Sequence, residues 1–346
     1  QNTKFINSIA ENPTDFRNEW EQADKPWQFL QLAIEWNKVV ITKEKALWNV
    51  PISADATSSG LQLLSAIRRD PKGMEFSNLL PPKSSNEPPR DAYREVLRVA
   101  RELADKDDKN KSLIKYITDE DRKLGKIVLM KVVYGTKEWS NKNEIREYFI
   151  EKGLYKNELD HNDVERITKL LRRASKIVFP MAFEALDWIK NLYKKSIENG
   201  NQSLTWKTPN LDSINLFKVI QRVKEIKYYA KTSISIPIGE IKEPDFTKMG
   251  SSIAPDFVHS LDSCVLKSSF QDWDRPLVLI HDCFKVLPND FDLAKERIKH
   301  GFVHVCKDDP LARLADDLGV TEDQLQRLEQ GLGTLEDVLN SSYIFN

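Results

Sequence analysis

Two carboxylates open the chemical reading of this chain. Asp55 ends the run Val50-Pro51-Ile52-Ser53-Ala54, and Asp282 follows Leu277-Val278-Leu279-Ile280-His281. Aspartates at the ends of apolar strands, far apart in sequence, are what two-metal phosphoryl transfer requires. Hard oxygen ligands suit magnesium, and two ions about 3.5–4 Å apart activate an attacking hydroxyl and hold the leaving phosphate. The pair alone does not decide the matter, because the chain has 53 acidic residues and aspartate is common at strand ends. A second group adds more. Arg122, Lys126 and Tyr134 fall at i, i+4 and i+12 of a helical run, which at about 100° per residue spans roughly 120° of one face. A triphosphate could lie along the cations with its base near the tyrosine, and Gly135 would allow a close approach. A cationic surface helix whose tyrosine helps close the core accounts for the same spacing.

Other residues carry weaker signals. His259 lies in Ile253-Ala254-Pro255-Asp256-Phe257-Val258-His259-Ser260-Leu261-Asp262, where a lone histidine is more often a core or interface group than a catalyst. His300 and His304 have a metal-pair spacing, but glutamate does not follow the first, so the zinc-protease motif is absent. Gly331-Leu332-Gly333 is too short for a phosphate loop. Arg166, Lys169, Arg172, Arg173 and Lys176 form a basic stripe at helical spacing, which reads equally as a nucleic-acid contact or as a solvated helix face.

The elements that must position these residues follow from periodicity and breakers. The stretch to Val40 predicts helices, one starting near Pro26, and Val50 to Asp55 predicts a short strand feeding a helix from Leu61 to Arg69. Pro81-Pro82-Lys83-Ser84-Ser85-Asn86-Glu87-Pro88-Pro89 continues neither regular structure and reads as a lobe boundary. Helices are expected from about Ala92 to Leu103, from about Asp119 to Val133 with Thr118 as N-cap, and from Asp163 to Ser196. Alternating Ile234, Ile236 and Ile238 around Pro237 predict a projecting hairpin arm. Ala254 to Phe270 reads as helix, and Leu277 to Leu287 as a β-hairpin with His281-Asp282 at its tip. The last region reads as helical, with Thr321-Glu322-Asp323-Gln324 as a capping box.

Composition bounds the class. With 346 residues, 40% hydrophobic and 30% charged, the chain is long enough for two lobes or one large elaborated domain. Cys264, Cys283 and Cys306 are too scattered for a disulfide framework or a Cys-x-x-Cys zinc site, which fits a reducing cytoplasm. No apolar run of membrane-spanning length and no secretory leader is present in the sequence. A net charge of -1 excludes a uniformly basic coat while permitting a local positive channel.

Taken in order, these segments resemble the single-subunit, bacteriophage-type DNA-dependent RNA polymerases shared by phages and mitochondria. Asp55-Ala56-Thr57-Ser58-Ser59-Gly60-Leu61-Gln62 is similar to that family's first aspartate motif, and Ser77-Asn78-Leu79-Leu80-Pro81 follows it. Arg122, Lys126, Met130, Tyr134 and Gly135 resemble its nucleotide-binding fingers helix; Ala254 to Ser260 and His281-Asp282 match the remaining two signatures. The terminal Tyr343-Ile344-Phe345-Asn346 resembles the aromatic-rich family C-terminus, so the natural end is expected to be present.

The resemblance implies a right-hand polymerase core of α+β class, with a small antiparallel palm sheet and mostly helical fingers, lacking the N-terminal domain and thumb. Residues 1–83 and 260–346 would form the palm and C-terminal foot, and 84–259 the fingers, including a specificity hairpin near 228–248. It further implies that Asp55 and Asp282 bind two Mg²⁺ ions, with the Ala56 carbonyl an extra ligand. Lys126 and Arg122 would hold the triphosphate, with Lys126 protonating the departing pyrophosphate. Tyr134 and His259 would favour a ribose 2′-hydroxyl, and Trp139, where phenylalanine is usual, would lie near the template base. Cys283 stands where serine is usual, Leu261 where glutamine is frequent, and Leu63-Leu64 replace a more polar pair. The implied activity is RNA synthesis on a DNA template from ribonucleoside triphosphates, in a cytoplasm (the host's, if the chain is viral) and without a membrane. Related DNA polymerases usually carry a glutamate in the first motif and another after His-Asp; here Ser59-Gly60-Leu61-Gln62 and Cys283 occupy those stretches. A third reading is a subunit or fragment inactive alone, completed by a companion chain that supplies the N-terminal domain and thumb.

Overall fold

The computed structural model describes residues 2–45, 47–84, 86–132, 138–228 and 232–345. The chain begins with α1 (Asn2–Glu11), α2 (Arg17–Trp20), α3 (Pro26–Trp36), β1 (Ile52–Asp55), α4 (Ser59–Ile67), α5 (Pro71–Phe76) and α6 (Ala92–Asp105). Then come α7 (Arg122–Val132), α8 (Glu138–Glu151), α9 (His161–Val178), α10 (Pro180–Glu198), β2 (Leu204–Lys207), β3 (Ser213–Leu216), β4 (Val219–Tyr228) and β5 (Thr232–Pro244). The last part holds α11 (Phe246–Phe270), β6 (Leu277–Ile280), β7 (Cys283–Val286), α12 (Phe291–Cys306) and α13 (Pro310–Asp317). Helices with small antiparallel sheets make an α+β chain, as the sequence predicts. Among the described residues no helix is long and apolar enough to cross a membrane. The chain divides into two compact units, residues 1–55 with 270–297 and residues 56–269 with 298–346.

The smaller unit has a helical part and a sheet. Ile9, Trp20 and Ala33 form a buried cluster that Ile6, Ala10, Phe16, Phe29 and Leu30 pack around. The Trp20 indole donates to the Pro13 carbonyl at 2.8 Å, so its one polar atom is satisfied inside that cluster. The sheet runs β1-β7-β6, with Ile52 opposite Val286, Ala54 opposite Phe284 and Asp55 opposite Cys283. Phe284 and Val286 are fully buried, and Phe270 and Phe291 lie 5.8 and 6.0 Å from the Phe284 ring. β6 is an edge strand on which Val278, Leu279 and Ile280 are exposed.

The larger unit is mostly helical. Every residue of α4 is buried, so Ser59, Gln62 and Ser65 are covered along with Leu61, Leu64 and Ile67. The segment Pro81 to Pro89 joins α5 to α6 inside this unit and is tied back at its end, where Asn78 and Arg90 exchange side-chain-to-backbone bonds of 2.8 and 2.9 Å. The alternating isoleucines do form a ribbon, β4 paired with β5, with Ile226 opposite Ile234.

Four local expectations are corrected. The run from Asp163 to Ser196 is two helices, because Pro180 lacks the N–H that continuation needs and instead starts α10 at a position where that N–H has no intrahelical role. α11 begins at Phe246 rather than Ala254, since Asp245 accepts from Lys248 N at 2.9 Å as a cap, and Pro255 is carried inside the helix. α7 begins at Arg122, and Thr118 closes a preceding turn through its carbonyl instead of capping the helix. After α13 the chain is largely irregular: Thr321 N still donates to Gln324 Oε1 at 3.1 Å, but no α-helix starts there, and a 3₁₀ turn, Leu335–Asn340, comes only later. There Gly331 N and Gly333 N donate to the Arg68 and Arg69 carbonyls at 2.8 Å each, and a Cβ at Gly331 would meet the Arg69 oxygen at 2.4 Å. The segment is a backbone strap on α4's end, and helix would withdraw those N–H groups.

α6 and α7 approach closely because Gly125 has no side chain. A Cβ there would lie 2.6 Å from the Tyr93 carbonyl oxygen, a backbone atom that cannot swing aside. Gly125→Ala is therefore expected to destabilise the protein by about 1–3 kcal/mol through overpacking, although alanine favours an isolated helix by about 1 kcal/mol. Urea denaturation checks this, with a lower midpoint expected.

Candidate active site

The β1-β7-β6 sheet brings the two carboxylates together. The register sets Asp55 across from Cys283, the neighbour of Asp282, and Ile280 pairs with Cys283 so that His281-Asp282 is a two-residue turn. His281 takes a positive φ of 55°, a region in which histidine is better tolerated than most side chains. Burial pushes the Cys283 thiol up, the charge of Asp55 and, less strongly, that of Asp282 push it further, and Lys285 opposes them. The thiol therefore stays neutral near pH 7 and the hard donors here are carboxylate oxygens. Among the described residues no group of three or more Asp, Glu, His or Cys converges on one point. Two carboxylates fit magnesium, which binds through one or two carboxylates and completes its shell with other oxygen donors, water and substrate phosphate.

In the larger unit, Arg122 and Lys126 share one face of α7 and are both exposed. Arg122 is not the free outward cation that the spacing suggests: its Nε donates to Asp91 Oδ2 at 2.8 Å, and its guanidinium lies 4.5 Å from the Tyr93 ring centre. Lys123 pairs with Glu151 at 2.8 Å and Lys131 with Glu144, whereas Lys126 has no ion-pair partner among the described residues. Tyr134 and Gly135 lie outside the described residues. Trp139 stands on the first turn of α8, 70% exposed, and His259 is exposed on α11. Ala56 makes a β-bridge with Phe345. Beside it Thr57 Oγ1 donates to the Tyr343 carbonyl at 2.9 Å, and buried Gln62 donates to the carbonyls of Ser77 and Ile344 at 3.0 Å each. The C-terminal residues thus hold the segment that follows Asp55.

The basic stripe on α9 is mostly neutralised. Arg166 pairs with Asp163, Lys169 with Glu165 at 2.6 Å and Lys176 with Asp187 at 3.8 Å, while Arg172 donates to Asn141 Oδ1 at 2.5 Å. These pairs offset the charge of Arg166, Lys169 and Lys176, and Arg172 is held against buried Asn141.

The profile of the DNA-dependent RNA polymerase family matches residues 1–341. The chain belongs to that family. It is similar to the mitochondrial DNA-directed RNA polymerase of Mus musculus, 24% identical over 304 residues that cover 86% of this chain and 25% of the mouse protein. The mitochondrial DNA-directed RNA polymerase 1 of Arabidopsis thaliana is 25% identical over 97% of this chain and 36% of its own length. The DNA-directed RNA polymerase of Pseudomonas phage phiKMV is 26% identical over 91% of this chain and 40% of its own length. The chain thus spans between a quarter and two fifths of these polymerases, in their C-terminal portion.

Sequence reading missed what orients the polymerase helix α7. Asp121, just before it, accepts from the Tyr148 hydroxyl and from Lys152 Nζ, both on or next to α8, so the first turn of α7 is anchored before Arg122 begins it. The signal in the sequence is an aspartate directly ahead of a helical run. Burial and the Asp121 carboxylate push the Tyr148 phenol up to about 12, against an opposing effect of Lys152. A raised phenol favours the neutral form in the fold, so this contribution to stability is present below the ordinary value of 10.0 and is lost as pH rises through about 12. Absorbance titration of the wild type minus Tyr148→Phe is expected to show this high transition, and Asp121→Asn to move it down.

Proposed function

We propose that this chain carries the catalytic residues of template-directed RNA synthesis, in which a primer 3′-hydroxyl attacks the α-phosphate of a ribonucleoside triphosphate. The observation that carries the proposal is the sheet pairing that sets Asp55 beside the His281-Asp282 turn, within a chain of the DNA-dependent RNA polymerase family. Asp55 and Asp282 would hold two magnesium ions, with the Ala56 carbonyl as a further ligand. Such ions supply activation of the hydroxyl and neutralise charge on the leaving phosphate. Lys126, exposed and without an acidic partner among the described residues, would bind the triphosphate with Arg122 and give a proton to departing pyrophosphate, offsetting its negative charge. Tyr134 and Gly135 would receive the nucleotide, His259 would favour the ribose 2′-hydroxyl and Trp139 would meet the template base. Residues 1–83 and 260–346 would serve as palm and foot and 84–259 as fingers, with the β4–β5 ribbon reading promoter DNA, since a two-stranded ribbon fits the major groove.

A second reading is favoured by two observations, the partial coverage of the relatives and the exposed apolar edge strand β6. In it the chain works only when joined to an upstream part or a companion chain that supplies the remaining grip on DNA. Co-purification of such a chain, against full activity of this one alone, separates the two readings.

Primer extension on a primed DNA template, with the upstream part joined if needed, tests the chemistry. Asp55→Ala and Asp282→Ala are each expected to lower the rate by about 10³-fold or more, the worth of several kcal/mol of transition-state stabilisation. Lys126→Ala is expected to lower it about 10²–10⁴-fold, as loss of a general acid does. Full activity in both aspartate variants would falsify the assignment. In the same assay ribonucleotides are expected to be incorporated in preference to deoxyribonucleotides; the reverse preference would favour the DNA-polymerase reading.

A further inference from the structure

Asp91, at the head of α6, divides its two oxygens between two tasks. Oδ1 accepts from the backbone N–H groups of Tyr93 at 3.0 Å and Arg94 at 3.2 Å, which caps the helix. Oδ2 accepts from Arg122 Nε at 2.8 Å and lies 3.7 Å from Arg94 Nε. The same Arg122 guanidinium lies over the Tyr93 ring, 4.5 Å from its centre. One edge of the guanidinium is thus held by the carboxylate and one face by the ring. Its terminal amino groups have no further partner among the described residues, and they form the edge of the fork that pairs bidentately with phosphate oxygens. An arginine joined through its terminal groups would have to leave its partner to bind an anion; one joined through Nε keeps the partner while the fork stays available.

We propose that Asp91 is a positioning residue for nucleotide binding, which prearranges Arg122 so that its terminal amino groups meet the triphosphate. The inference rests on the reading of Arg122 and Lys126 as triphosphate ligands. A long side chain that is ordered before the ligand arrives loses less freedom on binding, so affinity for the triphosphate rises while affinity for groups that Arg122 does not touch stays as it was.

The cap and the ion pair can be separated by mutation. Asparagine and serine cap helices about as well as aspartate. In Asp91→Asn, with Oδ1 still capping, an amide NH₂ faces Arg122 Nε, so donor meets donor; in Asp91→Ser the side chain is too short to do both tasks. Calorimetric titration of the full chain with ATP and with AMP, in magnesium buffer, reads the effect. Both variants are expected to keep the wild-type melting temperature, to bind ATP about three- to tenfold more weakly, the share that ordering one long side chain represents, and to bind AMP unchanged. Wild-type affinity for ATP, tighter binding, or equal weakening for ATP and AMP would each overturn the positioning role. Arg122→Ala and Lys126→Ala tell the two failures apart. If they weaken ATP binding while the Asp91 variants do not, only the role of Asp91 falls. If they leave ATP binding unchanged, or if the wild-type chain does not prefer ATP to AMP, the triphosphate reading falls and the proposal with it.

Discussion

The antiparallel pairing of β1 with β7 is the constraint on which the candidate chemistry depends. Side chains alternate across a strand, so a slip of one residue would turn Asp55 to the opposite face of the sheet and move it away from Cys283. Ala54 opposite Phe284 resists that slip, because a small residue, 1% exposed, lies against a large one that is fully buried. The turn that joins β6 to β7 has only two residues, so Asp282 has little room to wander from the sheet end. The same short sheet leaves β6 with an open edge and three exposed apolar side chains, an arrangement that proteins normally cover or charge.

The larger unit positions its groups by helix packing and by charge. Gly125 lets α7 lie against the backbone of α6, which brings Arg122 within reach of Asp91 and of the Tyr93 ring. Asp121 and Tyr148 tie the start of α7 to α8. Around these contacts many basic side chains have acidic neighbours, in a chain whose 52 lysines and arginines are balanced by 53 aspartates and glutamates. Exposed pairs of this kind contribute about 0–1 kcal/mol each. They act selectively: they offset the positive charge of Arg166 and Lys169 on α9 and of Lys123 and Lys131 on α7, whereas Lys126 has no ion-pair partner among the described residues.

Several elements follow from near neighbours in the chain alone. Pro26 starts α3, alternating isoleucines make a ribbon, and two apolar runs around His281-Asp282 fold back as a hairpin, because proline geometry and period-two patterning act over a few residues. The order of the motifs also made the polymerase family legible, and the family profile covers nearly the whole chain. Long-range packing set what depends on partners distant in sequence. It joined Asp55 to the Cys283 strand, turned Arg122 onto Asp91, and replaced the Thr321 helix with a strap whose glycine N–H groups reach Arg68 and Arg69. It also buried α4 on all sides and made Asp121, rather than Thr118, the anchor ahead of α7. Periodicity records which face of an element is covered, but a hydrogen-bond acceptor some 30 or more residues away leaves no mark on the local pattern.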